Sequence, residues 1–468
     1  MNGTIYIFGA GPTGLSLAWL LSKKGNRVTV IEKYNSAGGT WATRWTENDL
    51  FTQHSPQILT TAYINTIALW EEMGINYREF TKGYNAAWIS LILNNTSSSD
   101  KLKLVSTFLS YTFRKHYYEK LTVKQQFYNN LSVNGWNAIV KVCYLLDGVS
   151  PDIMTVAELF GSFDQTVFYS TMEMKKASDD RKGFAQQWVD KLKKQGVKFR
   201  FNTSLKMLKI DQNTISVYVQ SKTTPEHIKI EGGKMILALD PLSLLKVLSV
   251  SDDSIKNNWG TWNKLYQHIS RGIYISIGVQ YHFSKNSEVK LKGSVKSGFG
   301  TEWGIICIKI PGEISEFFVI SCSVINLDSY STSLKKTVRE CNPEEVKQEV
   351  WRQLVLINPL PEYKYATLGT DVEWSLDNGW NFDISSACRT VQGPINSHGK
   401  RNDLAIVGPL NYRIFKPTTM EAAVETALRF VGGDVRHAIT LSSIIRTFVF
   451  FIIVFVVAII MVKFLCLY

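Results

Sequence analysis

The residues best placed to do chemistry stand near the start of the chain. Gly9-Ala10-Gly11-Pro12-Thr13-Gly14 is followed by Glu32-Lys33 and then by Gly38-Gly39-Thr40, with Arg44 just beyond. Glycines at this spacing let backbone N–H groups approach a phosphate where a side chain would hold it away. Gly9 permits a tight turn, Gly11 admits a pyrophosphate, and Gly14 lets a helix pack closely on a strand. An acid at Glu32 can accept from both hydroxyls of a ribose. The chemistry implied is the binding of a dinucleotide.

That chemistry needs a strand before the glycines and a helix after them. Residues 4–8, TIYIF, read as a buried strand, and LSLAWLLSKKG reads as an apolar-periodic helix ending at Gly25. RVTVI, residues 27–31, reads as a second buried strand with Glu32 at its end. The helix N-terminus would turn its free N–H groups towards the phosphates. From Gly183 to Leu239 the pattern predicts a helix (AQQWVDKLKKQG) and the strands VKFRF, ISVYV and MILAL. Over 403–430 it predicts a strand, LAIVG, ending at Gly408, and a helix that begins at Thr418-Thr419-Met420-Glu421. Between these stretches, residues 66–175 are helix-rich, as in NTIALWEEMG, AAWISLIL and KLVSTFLSYTFRKHYYEKL. Residues 271–330 hold long alternating strands, IYISIGVQYHF and FFVISCSVINL, and Pro343–Ile357 reads as a helix.

The chain has 468 residues, of which 45% are hydrophobic, 12% aromatic and 20% charged, enough for a large core and against global disorder or a fibrous repeat. Its net charge is +12. The basic residues fall in short groups such as Lys23-Lys24, Arg114-Lys115 and Lys193-Lys194, not in one stripe interleaved with aromatics, so no nucleic-acid partner is expected. The six cysteines form no CxxC pair, and the seven histidines form no HExxH. No metal site is expected, and the sparse cysteines suit a reducing compartment. Nothing in the sequence sets an oligomeric state.

The strand–glycine–helix–strand–acid unit, continued by Gly38-Gly39, resembles the extended dinucleotide motif of the flavin-containing amine oxidase superfamily, which includes carotenoid desaturases and protoporphyrinogen oxidase. The resemblance implies an α/β fold with a Rossmann-type FAD-binding domain built from residues 1–65, 176–250 and 396–431. It implies an inserted substrate domain, a mixed sheet with a helical cap, from 66–175 and 251–395. FAD would be held by Gly9, Gly11, Pro12, Thr13, Gly14, Glu32, Lys33, Gly38, Gly39 and Thr40, with its adenine on the main chain of Leu205. The strand end at Gly408 and the helix start at Thr419-Met420 would close the flavin site. Family members often carry Arg directly after the paired glycines; Thr40 stands there, and Arg44 is the candidate to supply the charge. No cysteine lies near the closing helix in the spacing used for cysteinyl-flavin, so FAD is expected to be non-covalent.

The activity implied by the resemblance is hydride transfer from a C–H bond of a small-molecule substrate, an amine or a lipophilic isoprenoid-like compound, to flavin N5. Dioxygen or another acceptor would reoxidise the flavin. Of two departures from the family pattern, the loss of an aromatic ring at Thr419 tilts the choice away from amines. Classical amine oxidases place an aromatic ring immediately before the Met-Glu of the closing helix, where this chain has Thr419, and a flavin-proximal Lys where Ser276 stands. Tyr412, Trp374 and Trp380 are candidates to line the substrate cavity, although packing explains each of them as well. His54, in FTQHSPQ, falls where family chains pass under the flavin; its other reading is a satisfied loop histidine. Gly38-Gly39-Thr40-Trp41 is also similar to the GGTW of Baeyer–Villiger-type monooxygenases, but the second GxGxxG and the FxGxxxHxxx(W/Y) fingerprint are missing. A non-catalytic flavoprotein or Rossmann scaffold is the remaining alternative.

Phe448–Val462 is an unbroken apolar run between Arg446 and Lys463. Residues 448–468, as a helix, would span about 31 Å, close to the hydrocarbon thickness of a bilayer. A single-pass anchor in membrane lipid is expected over 447–468, after a linker over 432–446. Arg429, Arg436 and Arg446 precede the run and only Lys463 follows it, which places the body on the cytosolic side. The apolar stretch Ile5–Ala10 is too short for a signal peptide and fits a strand better.

Overall fold

The computed structural model describes residues 3–465 except 85–95, 175–183, 222–226, 232, 286, 288–294, 297–300, 311–316 and 358; AAWISLIL and Gly183 fall outside the described residues. Short β-branched runs that bury both faces belong in the middle of a parallel sheet. Strands β1 (Ile5–Phe8) and β2 (Val28–Ile31) are such runs, joined by helix α1 (Pro12–Lys23). With β3 (Lys198–Arg200), β4 (Lys234–Leu237) and β5 (Leu404–Ile406) they form a sheet of order β5-β4-β1-β2-β3, parallel throughout. The register Phe8↔Ile31 brings the ends of β1 and β2 level. Gly9 N therefore donates to Ile31 O at 2.8 Å, and Glu32 stands beside the glycine turn.

Both faces of this sheet are covered. On one lie α1 and the helices Ile64–Glu72 and Phe184–Lys194, where Trp70 meets Phe184 and Trp188 edge-on with centroids 5.3 and 5.9 Å away. On the other lie a three-stranded antiparallel sheet (Thr203–Asp211, Thr214–Ser221, His227–Glu231) and the helices Pro241–Ser249 and Trp262–Arg271. Helix Ile64–Glu72 and the apolar residues Ile255, Leu265 and Ile269 thus pack against the parallel sheet.

The second sheet carries Val295–Lys296, Ile305–Lys309, Phe317–Val324, Ile277–Ser284 and Tyr365–Leu368, in that order. The sequence reading made it mixed; every pairing described is antiparallel. Alternation marks a strand's buried face but carries no direction, and helix Pro343–Ile357 returns the chain alongside Ile277–Ser284 in the opposite sense. The stretch IYISIGVQYHF is also not one strand. Ile273–Tyr274 pairs with Ser386–Ala387, and Ile277–Ser284 joins the second sheet, with Ser276 at the break. In that sheet His282 is buried, and burial holds its pKa down to about 4. A folded pKa below the unfolded value means stability is full above about pH 6.5 and is lost as pH falls towards 4, by roughly 3 kcal/mol. Unfolding of a His282→Leu protein should show a flatter pH dependence over that window.

A third group is helical: α2 (Ser98–Phe113), Val133–Asp147 and α3 (Val156–Thr166) share an aromatic core of Phe108, Tyr111, Phe127 and Phe160. Helix α4 (Met420–Phe430) returns to pack on α1. Helix α5 (Leu441–Leu465) begins against α3, where Ser442 N and Oγ each donate to Asp164 at 2.6 Å. Leu441 and Ile445 pack into the helical core, whereas Phe448 and Phe450 to Val457 stand exposed. By length and composition α5 can cross a bilayer, with mean hydropathy 2.5 over Leu441–Ala458.

Candidate functional site

The turns after β1, β2 and β4 open at one edge of the parallel sheet, where doubly wound folds bind ligands. A cavity of about 630 Å³ lies there. Of the residues singled out from sequence, Gly9, Gly11, Pro12, Thr13, Glu32, Lys33, Gly39, Thr40, Leu205, Thr419 and Met420 line it. Gly11 and Gly39 come so close that a Cβ on Gly39 would sit 3.2 Å from Gly11 Cα, and Gly39 has φ of +57°. Any side chain there would fill the gap and strain the backbone.

Four of the singled-out residues stand behind the wall. Gly14 packs α1 on the β1 turn; a Cβ would lie 1.9 Å from Gly9 O. Gly14→Ala should therefore destabilise the protein by at least about 1–3 kcal/mol, measurable by urea unfolding. Gly38 N donates to Ala10 O at 2.9 Å and ties the two glycine turns together. Gly408 N donates to Asn411 Oδ1 at 2.7 Å, and its neighbour Pro409 takes the place at the cavity. Arg44 does not reach the cavity. Its guanidinium lies 4.1 Å from the centroid of the Tyr34 ring, and Nη1 is 3.9 Å from Asp371 Oδ1.

The carboxylate of Glu32 is held by the backbone it terminates. Oε2 accepts from Ala10 N at 2.7 Å and Oε1 from Tyr34 N at 3.0 Å. Burial raises its pKa, and these two N–H groups oppose the rise. Lys33 Nζ donates to the Asp383 carbonyl and lies over the Tyr34 ring. At the other end of the cavity Thr419 caps α4 in extended conformation without a side-chain cap bond, and its buried Oγ1 has no partner. A helix N-terminus with free N–H groups and an unused hydroxyl at a cavity wall suits an anionic or acceptor-rich ligand edge. Together with the Gly11–Gly39 cradle and the Glu32 carboxylate, this donor and acceptor set fits FAD.

Residues the sequence did not connect surround this wall. His54 Nδ1 hydrogen-bonds Asp371 Oδ2, and its Nε2 lies 3.4 Å from Ser276 Oγ, all three residues being buried. Burial would raise the Asp371 pKa, but His54 and then Arg44 draw it below the ordinary carboxylate range. His54 is thus a satisfied loop histidine and does not line the cavity wall. Glu421 lies inside α4's first turn and accepts from Asn65 N, Asn65 Nδ2, Thr66 N and Thr66 Oγ1, so it caps helix Ile64–Glu72. No local spacing announces either cluster. The aromatic candidates are elsewhere: Tyr412 is exposed under Arg429, Trp374 faces Trp380 across a hairpin, and Trp380 Nε1 donates to Val338 O and Cys341 O at 3.1 and 2.9 Å. None lines the cavity.

A parallel sheet opening on a glycine cradle, flanked by a large antiparallel sheet and a helical layer, defines a two-domain architecture built on a dinucleotide-binding α/β unit. Comparison with known proteins narrows it: the chain has the fold of the flavin-dependent amine oxidases. Residues 7–73 match the NAD(P)-binding Rossmann-like domain family. Putrescine oxidase, in a structure with bound putrescine, superimposes with a TM-score of 0.62 at 13% identity over 92% of this chain and 98% of that one. Cyclohexylamine oxidase from Brevibacterium oxydans gives 0.60 at 11% identity, over 92% and 98%. An oxidoreductase from Methanosarcina mazei gives 0.60 at 13%, over 92% and 100%. In sequence the chain is similar to thiamine thiazole synthases: 34% identical over 84 residues to that of Pyrococcus horikoshii (18% of this chain) and 28% over 160 residues to that of Pyrococcus abyssi (32% of this chain). The matches span 29% and 52% of those two proteins.

Proposed function

We propose that the protein is an FAD-dependent oxidoreductase acting on a C–H bond of a small lipophilic molecule, held to a membrane by α5 with its body on the cytosolic side. The observation that carries this reading is the cavity between the Gly11–Gly39 cradle and the α4 N-terminus. Bound FAD would supply a hydride acceptor that dioxygen or another oxidant can restore. The chain's own residues bind and orient it. Glu32 would accept from the ribose, the main chain at Leu205 would receive the adenine, and the glycine turns would admit the pyrophosphate. The N–H groups at Thr419 and Met420 favour negative charge on the flavin's pyrimidine edge, which strengthens it as an acceptor. No cysteine lines the described cavity, which supports non-covalent binding. Thr419 in place of an aromatic ring, and the apolar α5, support a lipophilic substrate over an amine.

The test is an absorbance spectrum of the detergent-purified protein. Bands near about 370 and 450 nm that bleach on anaerobic photoreduction and return in air are expected. Acid precipitation should leave the flavin in the supernatant. No flavin, even after incubation with FAD, would sink the enzyme reading in favour of a structural Rossmann scaffold. Turnover of amines but not of isoprenoid-like compounds would overturn the choice of substrate class.

A further inference from the structure

Helix α2 is apolar on two faces, and only one is covered by protein. Phe108 and Tyr111 enter the helical core, with Leu104 packed partly against it. On the opposite side Leu102, Val105, Leu109 and Phe113 are 71%, 56%, 44% and 55% exposed. Their spacing, i, i+3, i+7 and i+11, puts them in a single stripe along the helix. An exposed stripe of large apolar side chains marks a surface with a partner. Basic residues flank it: Lys101 and Lys103 at one end, Arg114, His116 and Lys120 at the other. Half-exposed Tyr117 lies under the Arg114 guanidinium at 4.9 Å, an aromatic placed where interfacial rings collect.

What covers the stripe is indicated by its neighbour. The first turns of α5 dock on the same helical core through Leu441 and Ile445, and the Arg446 charge is felt by Tyr111 and Lys115. A bilayer that receives the exposed apolar part of α5 therefore begins beside α2. From this continuity and the flanking cations, we infer that the outer face of α2 lies in the headgroup–acyl boundary of an anionic lipid bilayer, as a second membrane contact next to α5. The inference rests on the proposed membrane span. Amphipathic helices of this kind bury their apolar side a short distance below the headgroups, and each nearby cation adds attraction to anionic lipid.

The test uses the full chain in vesicles of phosphatidylcholine and phosphatidylserine in equal parts. A fluorophore is placed at Leu109→Cys, at Phe455→Cys in α5, or at Leu376→Cys, which is 87% exposed, each with Cys466→Ser. The other cysteines are buried. Doxyl groups on the lipid acyl chains should quench the labels at 109 and 455 at least about twofold and leave the label at 376 unchanged. Quenching at 455 with none at 109 would overturn the α2 contact while the span stands. Quenching at 109 alone would remove the span and leave the α2 contact. Energy transfer between labels at 109 on two copies, with no quenching by lipid, would assign the stripe to a second copy and overturn the inference.

Discussion

Asp371→Ala is expected to cost the protein about 3–5 kcal/mol of stability. The carboxylate receives His54 directly and stands 3.9 Å from the Arg44 guanidinium, and none of the three groups is open to water. Removing the anion leaves buried polar groups with no compensating charge, which is far more damaging than removing both sides of such a pair. The residues come from two distant parts of the chain, Arg44 and His54 from one and Asp371 from the other, so the loss would loosen the contact between them. Urea unfolding in detergent would measure it, and a change below about 1 kcal/mol would show that the cluster contributes little. Because the folded Asp371 pKa is depressed, its stabilisation is complete above about pH 3.9 and lost as pH falls through the lower folded value. The variant should therefore lose less on acidification than the parent.

Glu32→Gln is the second large effect, and it falls on the cofactor. The amide can accept from only one of the two N–H groups, Ala10 or Tyr34, that the carboxylate now satisfies. Turning an NH2 group against the other leaves a buried donor unpaired, a penalty of about 1–3 kcal/mol that also displaces the ribose acceptor. FAD affinity should fall by roughly tenfold to a hundredfold, read by titrating the apoprotein with FAD. Unchanged affinity would remove Glu32 from the ribose site. A folded, flavin-free variant would agree with its assignment.

The nucleotide-binding core was legible because its logic is local. Gly9, Gly11, Gly14 and Glu32 must follow one another at short, fixed intervals, and the structure sets them around one turn. Leu205 and Thr419 were reachable only through resemblance, since nothing in their surroundings distinguishes them from other strand and helix starts. The His54–Asp371–Arg44 cluster was not legible at all. Its members meet across more than 300 residues of sequence, and a buried aspartate is written like any other. The direction of strands in the second sheet escaped for a different reason, as burial alternates identically in parallel and antiparallel pairs. The stripe on α2 gave no signal of its own, because Leu102, Val105, Leu109 and Phe113 are interleaved with the aromatic residues of its buried side and the segment reads simply as a helix.

The five strands of the parallel sheet come from residues 5–8, 28–31, 198–200, 234–237 and 404–406, and β4 pairs with β5 only when the last of these exists. At about 5–20 residues per second, a ribosome takes roughly 20–80 s to reach residue 406 after β1 has been made. β1 and β2 have each other as partners early, but their outer edges lack β4 and β3 until residues 198–237 have been made, and β4 then waits with an open edge for β5. The sheet that carries the fingerprint from the start of the chain is thus completed only when the segment near residue 406 has been made. Chaperone occupancy of the nascent chain should persist until the segment carrying β5 and α4 has left the ribosome, and α5 follows it within seconds.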